Sequence, residues 1–103
     1  MPYGSWINDL PRGFFLTVHV AAFAIGAGFA WLAVKRDLTL LATAFSLFAV
    51  AELVYMTYHL DWTVFLFAHT IAEVLDLVAF VLVFVGAVQP VLARATARSA
   101  AHA

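Results

Sequence analysis

Two groups of ionisable side chains recur at helical spacing inside otherwise apolar sequence. In the stretch YHLDWTVFLFAHTIAEVLD (58–76), His69, Glu73 and Asp76 stand at i, i+4 and i+7, so they share one face of a helix. Just upstream, Glu52, Tyr55 and His59 stand at i, i+3 and i+7 and share a face in the same way. A third histidine, His19, lies three residues before Ala22 in an earlier apolar run. Imidazole and carboxylate together suit a divalent transition metal such as zinc, copper or iron, with His19, His69, Glu52 and Glu73 as the ligand set. Two imidazoles at equal depth on facing helices suit a b-type haem, with His19 and His69 as axial ligands. The acids and the phenol, Glu52, Tyr55, Glu73 and Asp76, suit a proton path, because intramembrane carboxylic acids are the usual carriers of such relays. The plainest role is hydrogen bonding between helices, contributing on the order of 1 kcal/mol per contact, and it fits His19 and Tyr55 best.

The elements that carry these groups are set by composition. Of 103 residues, 66% are hydrophobic and 11% charged, with a mean hydropathy of +1.03. A soluble domain carries about a quarter charged residues, so this is the composition of an integral membrane protein. Three apolar runs, roughly 14–34, 38–59 and 63–89, each reach the ~20 residues that cross a ~30 Å hydrocarbon core as a helix. The expected fold is all-α: a three-span transmembrane bundle forming one membrane domain over 1–103, with a short interfacial segment before the first span and a tail at 90–103. With no cysteine, thiolate catalysis, disulfides and iron–sulfur clusters are excluded. No lysine lies within a span, no glycine-rich phosphate loop is present, and a net charge of −1 points to no nucleic acid.

Met1 to Arg12 carries Tyr3 and Trp6, aromatics suited to a membrane interface, and little positive charge, so no cleaved signal peptide is expected. In the first span Ala22, Gly26 and Ala30 recur every fourth residue, and Ala24 with Gly28 adds a second small pair, so close packing by another helix is expected. Trp31 marks the far interface, followed by the loop Lys35, Arg36 and Asp37, with Asp37 as N-cap of the second helix. The corner His59–Leu60–Asp61–Trp62 is short enough to force a helical hairpin, with Asp61 capping the third helix. Ala72, Ala79 and Gly86 accompany the polar stripe of the third span. Pro90 is expected to end or kink that helix, leaving Arg94 and Arg98 in an interfacial helix or a tail. His59 and His102 are expected to be solvated.

Lys35, Arg36, Arg94 and Arg98 lie on one side of the membrane against Arg12 on the other, which orients the N-terminus outside and the C-terminus in the cytoplasm of a plasma or inner membrane. At ~1.5 Å per residue, His19 and His69 both lie roughly 10 Å below the outer ends of their spans. Tyr55 and Glu52 reach a similar depth, Glu73 is near the midplane and Asp76 deeper. Three acids without a lysine or arginine in the spans need enclosure, since an ionised side chain at the bilayer centre costs about 2.5–3.5 kcal/mol on insertion scales. The expected function is therefore an accessory or structural subunit of a larger membrane assembly, holding a buried His/Glu/Asp cluster, rather than a free-standing enzyme. Its partners are lipid and other membrane subunits or copies of itself. The alternatives are a homo-oligomeric proton-coupled carrier or channel using Glu52, Glu73 and Asp76, and a haem- or metal-binding redox subunit using His19 and His69.

Overall fold

The computed structural model describes residues 3–102. A 3-10 turn at Ser5–Asp9 precedes three helices, α1 (Arg12–Lys35), α2 (Thr39–His59) and α3 (Phe65–His102), and no strand occurs among the described residues. All three helices are long and apolar enough to cross a membrane. The 21 residues of α2 span about 32 Å, the thickness of a hydrocarbon core.

The helices form a row rather than a triangle. Both α1 and α3 pack along α2, and they make no backbone contact with each other. The interfaces are built from small residues. Ala30 and Ala33 of α1, Ala44, Ala49 and Ala51 of α2, and Ala68, Ala72 and Ala79 of α3 are buried, whereas no large side chain is fully buried among the described residues. Lipid supplies no hydrophobic drive for helix association, so backbones gain by approaching closely while bulky residues such as Phe80, Phe84 and Leu77 face outward. Gly26 marks the tightest approach: a Cβ there would stand 2.7 Å from the Phe48 ring. Ala24 and Gly28, which repeat the same spacing, are exposed, and a Cβ on Gly28 would meet nothing within 4 Å. The packed stripe is thus Gly26, Ala30 and Ala33, with Ala22 half-buried at its edge. On α3, Gly86 sits against Leu41, which a Cβ would approach to 3.2 Å.

The two loops share one backbone solution that corrects the capping roles expected for their aspartates. Asp37 and Asp61 both adopt left-handed backbone conformations, with φ of 57° and 63°. The amide of Leu38 donates to the Ala33 carbonyl (2.9 Å) and that of Asp37 to Val34 (3.1 Å). After α2, Trp62 donates to Thr57 (2.9 Å) and Asp61 to Tyr58 (3.0 Å). Each is a Schellman closure with aspartate at the position usually held by glycine. Asp37 therefore closes α1 rather than opening α2, whose N-cap is Leu38 without a side-chain bond. Asp61 closes α2, and its carboxylate pairs with Arg12.

Pro90 lies inside α3, which continues to His102. Proline removes one backbone donor and crowds the carbonyl four residues back. The following ARATARSAA is rich in alanine, the strongest helix former, and so sustains the helix beyond that point. At 38 residues α3 is about 57 Å long and accounts for most of the 64 Å long dimension, so the expected tail is an extension of the third helix.

Candidate functional site

At the corner end, Arg12 opens α1 and reaches Asp61 between α2 and α3, tying the first helix to the hairpin. The hydroxyls of Thr57 and Thr63, 2.9 Å apart, close the corner itself. One turn into α1, Phe15 stacks on His59 with ring centroids 4.9 Å apart. His59 also stands edge-on to Tyr58 at 4.9 Å and lies 5.1 Å from the His19 ring. The expectation of a solvated His59 is therefore corrected: it is half-buried among rings. The cause was visible in its spacing, because His59 shares the α2 face of Glu52 and Tyr55.

Deeper, α2 places Glu52 and Tyr55 where they meet both neighbours. Glu52 is 8% exposed, the one buried charged residue among those described. Its Oε2 is 2.5 Å from His19 Nδ1. Carboxylate with imidazolium and carboxylic acid with neutral imidazole are both neutral overall, so one shared proton offsets the cost of burying the acid. The Tyr55 ring stacks on His19 at 5.2 Å, and its hydroxyl donates to Glu73 Oε1 of α3 at 3.1 Å. Tyr55 also lies 6.4 Å from the His69 ring, which stacks on Phe65 at 5.1 Å.

Of the expected site residues, His19, Glu52, Tyr55, His69 and Glu73 are thus brought together around α2 but divided into pairs. His19 joins Glu52, and Tyr55 joins Glu73. His69 sits beside Tyr55 among rings. Among the described residues no three His, Asp or Glu side chains are disposed to hold a metal ion. Tyr55 of the middle helix contacts both His19 and His69, so a group bridging the two imidazoles would have to displace its ring. Glu73 lies on the flank of α3 and is exposed apart from its Tyr55 contact.

Asp76 stands apart from these pairs. It lines an open-sided groove of 390 Å³ that runs between α1 and α3 over α2. Among the described residues its Oδ1 is buried without a hydrogen-bond partner. The groove follows from the row-like packing, because α1 and α3 do not close over the middle helix.

Comparison of the chain with protein-family models, curated proteins and solved structures yields no match.

Proposed function

We propose that this chain is a small subunit of a larger membrane assembly, with its polar cluster serving to order the three helices. The observation that carries the reading is Glu73: a carboxyl group on the flank of α3, roughly 12 Å into the helix, exposed except for one tyrosine hydroxyl. Such a group facing hydrocarbon is costly, and a neighbouring protein surface that supplies donors removes that cost. The positive residues Lys35, Arg36, Arg94 and Arg98 favour a plasma or inner membrane orientation with the C-terminus in the cytoplasm. A photo-activatable residue at Val74, exposed next to Glu73, tests the proposal in native membranes. Cross-links to a second polypeptide, or to another copy, are expected; cross-links to lipid alone defeat it.

A proton-coupled carrier is the second reading, favoured by the succession of contacts from the corner toward the midplane. His59 neighbours His19, His19 bonds Glu52, and Tyr55 links to Glu73. Proteoliposomes holding a pH-sensitive dye distinguish the two: proton flux that Glu52→Gln abolishes favours the carrier, and its absence favours the subunit.

A further inference from the structure

We propose that the groove between α1 and α3 is a binding site for a lipophilic amine, held by an ammonium group on Asp76 with its apolar body among phenylalanine rings. This goes beyond the subunit reading and stands on different residues, since Glu73 does not line the groove. Its 390 Å³ falls within the ~300–1,000 Å³ of small-molecule sites. Phe29, Phe45, Phe48 and Phe80 line it, with the Phe29 and Phe45 rings 5.4 Å apart.

The chemistry of the occupant follows from what the groove provides. Asp76 is the sole ionisable residue lining it, and its Oδ1 is buried without a partner among the described residues. A buried carboxyl oxygen left unpaired is costly, so a rotation of the Asp76 side chain that brings its carboxyl to a donor in the groove gains a bond that the protein itself does not supply. An inorganic cation does not fit, because it needs several oxygen ligands and the remaining lining is apolar. An ammonium does fit: it donates to the carboxylate in a charge-assisted bond and lies over the electron-rich faces of the rings. No lysine or arginine occurs between Leu38 and Gln89, so the α2–α3 hairpin offers Asp76 no permanently charged cation of its own. The ion pair has no net charge, and the open side of the groove faces lipid, where an amphiphilic amine concentrates.

The test uses the full chain in lipid nanodiscs with carboxyl-labelled aspartate. The probe is N,N-dimethylphenethylamine, and isopentylbenzene, its hydrocarbon counterpart of matched shape, is the control. The amine is expected to bind saturably, to move the Asp76 carboxyl resonance and to leave those of Asp9, Asp37 and Asp61 in place. Asp76→Asn should weaken binding by about tenfold or more, as loss of a charge-assisted bond implies. Val83→Trp, which keeps the carboxyl and fills the groove, should abolish binding, and it decides the matter if Asp76→Asn does not fold. Equal affinity for the hydrocarbon, or unchanged amine affinity in Asp76→Asn or in Val83→Trp, overturns the proposal.

Discussion

His19 and Glu52 meet across the interface of α1 and α2 at 2.5 Å, and theirs is the one side-chain hydrogen bond joining those two helices among the described residues. The rest of the α1–α2 contact is close packing of small residues and ring contacts such as Phe15 on His59 and Phe29 with Phe45, so the pair adds a directional bond that specifies depth and rotation where lipid-facing surfaces do not.

The first prediction concerns that pair. Glu52→Leu should destabilise the protein by about 1–3 kcal/mol, because the His19 imidazole is left half-buried without its partner. In a double-mutant cycle with His19→Leu, the coupling energy should be on the order of 1 kcal/mol, as for hydrogen bonds between membrane helices. Glu52→Gln should retain part of it, since an amide still bonds an imidazole nitrogen. Reversible unfolding in bicelles measures all three, and additivity of the single substitutions would show that the pair contributes no specific contact.

The second prediction separates two glycines of equal spacing. Gly26→Ala brings a methyl group to 2.7 Å from the Phe48 ring, so the helices must part or the ring must turn, at about 1–3 kcal/mol. Gly28→Ala meets open space and should be neutral or stabilising by up to about 1 kcal/mol through better helix propensity. Thermal melts of the two variants in detergent check the sign, and equal effects would mean that α1 is rotated from the position described.

These glycines also mark how far the sequence is legible. Length and composition locate the three spans, and spacing of four residues marks α1 as a closely packed helix. The same spacing occurs in Ala24 and Gly28, however, and periodicity alone does not say which stripe meets α2. Nor does it say that α1 and α3 stay apart, since a small-residue stripe describes one helix and not the order of three. The faces of Glu52, Tyr55 and His59 and of His69, Glu73 and Asp76 follow from helical geometry, and five of these six groups do gather around the middle helix, Asp76 standing apart. Their pairing is decided by which side chain each neighbour presents at a given depth. The aspartates illustrate a different ambiguity: a short polar side chain beside a helix end serves an N-cap or a left-handed C-terminal closure equally well. At Asp37 and Asp61 only the backbone distinguishes them.

That ambiguity yields the third prediction. A non-glycine residue in left-handed conformation costs roughly 1–2 kcal/mol, somewhat less for aspartate, so Asp37→Gly should stabilise the protein by about 1 kcal/mol. Asp61→Gly gains the same backbone relief and loses the exposed pair with Arg12, worth about 0–1 kcal/mol, so its net gain should be smaller. Urea unfolding of both variants, with Asp37→Val as the strained control, ranks them. An Asp37→Val protein as stable as Asp37→Gly would exclude the left-handed closure.

The fourth prediction is topological. Single cysteines introduced by Ser5→Cys and Asp61→Cys should react with an impermeant maleimide from outside sealed cells, and that from Ser99→Cys only after lysis. The grounds are the shared end of Arg12 and Asp61 and the four cations at the opposite end. Reaction at position 99 in intact cells would reverse the orientation.

The last prediction asks whether α3 runs unbroken through Pro90. If it does, residues 90–102 extend the helix by roughly 20 Å and carry Arg94, Arg98 and His102, spaced every four residues, along one side. Spin labels at Thr70 and Ser99, both exposed, should then lie about 43 Å apart, the rise of a continuous helix between those positions. A helix ending at Gln89 with its tail lying flat on the membrane would bring them to about 32 Å, from the same rise taken along two perpendicular legs. Ordinary proline kinks shorten the longer distance by little, so the two geometries are separable by pulsed dipolar spectroscopy. Pro90→Ala restores the missing backbone donor and removes the crowding at Gly86, and it should leave a distribution centred near 43 Å while narrowing it. A distance near 32 Å that Pro90→Ala lengthens would instead show that proline breaks α3 at the membrane surface.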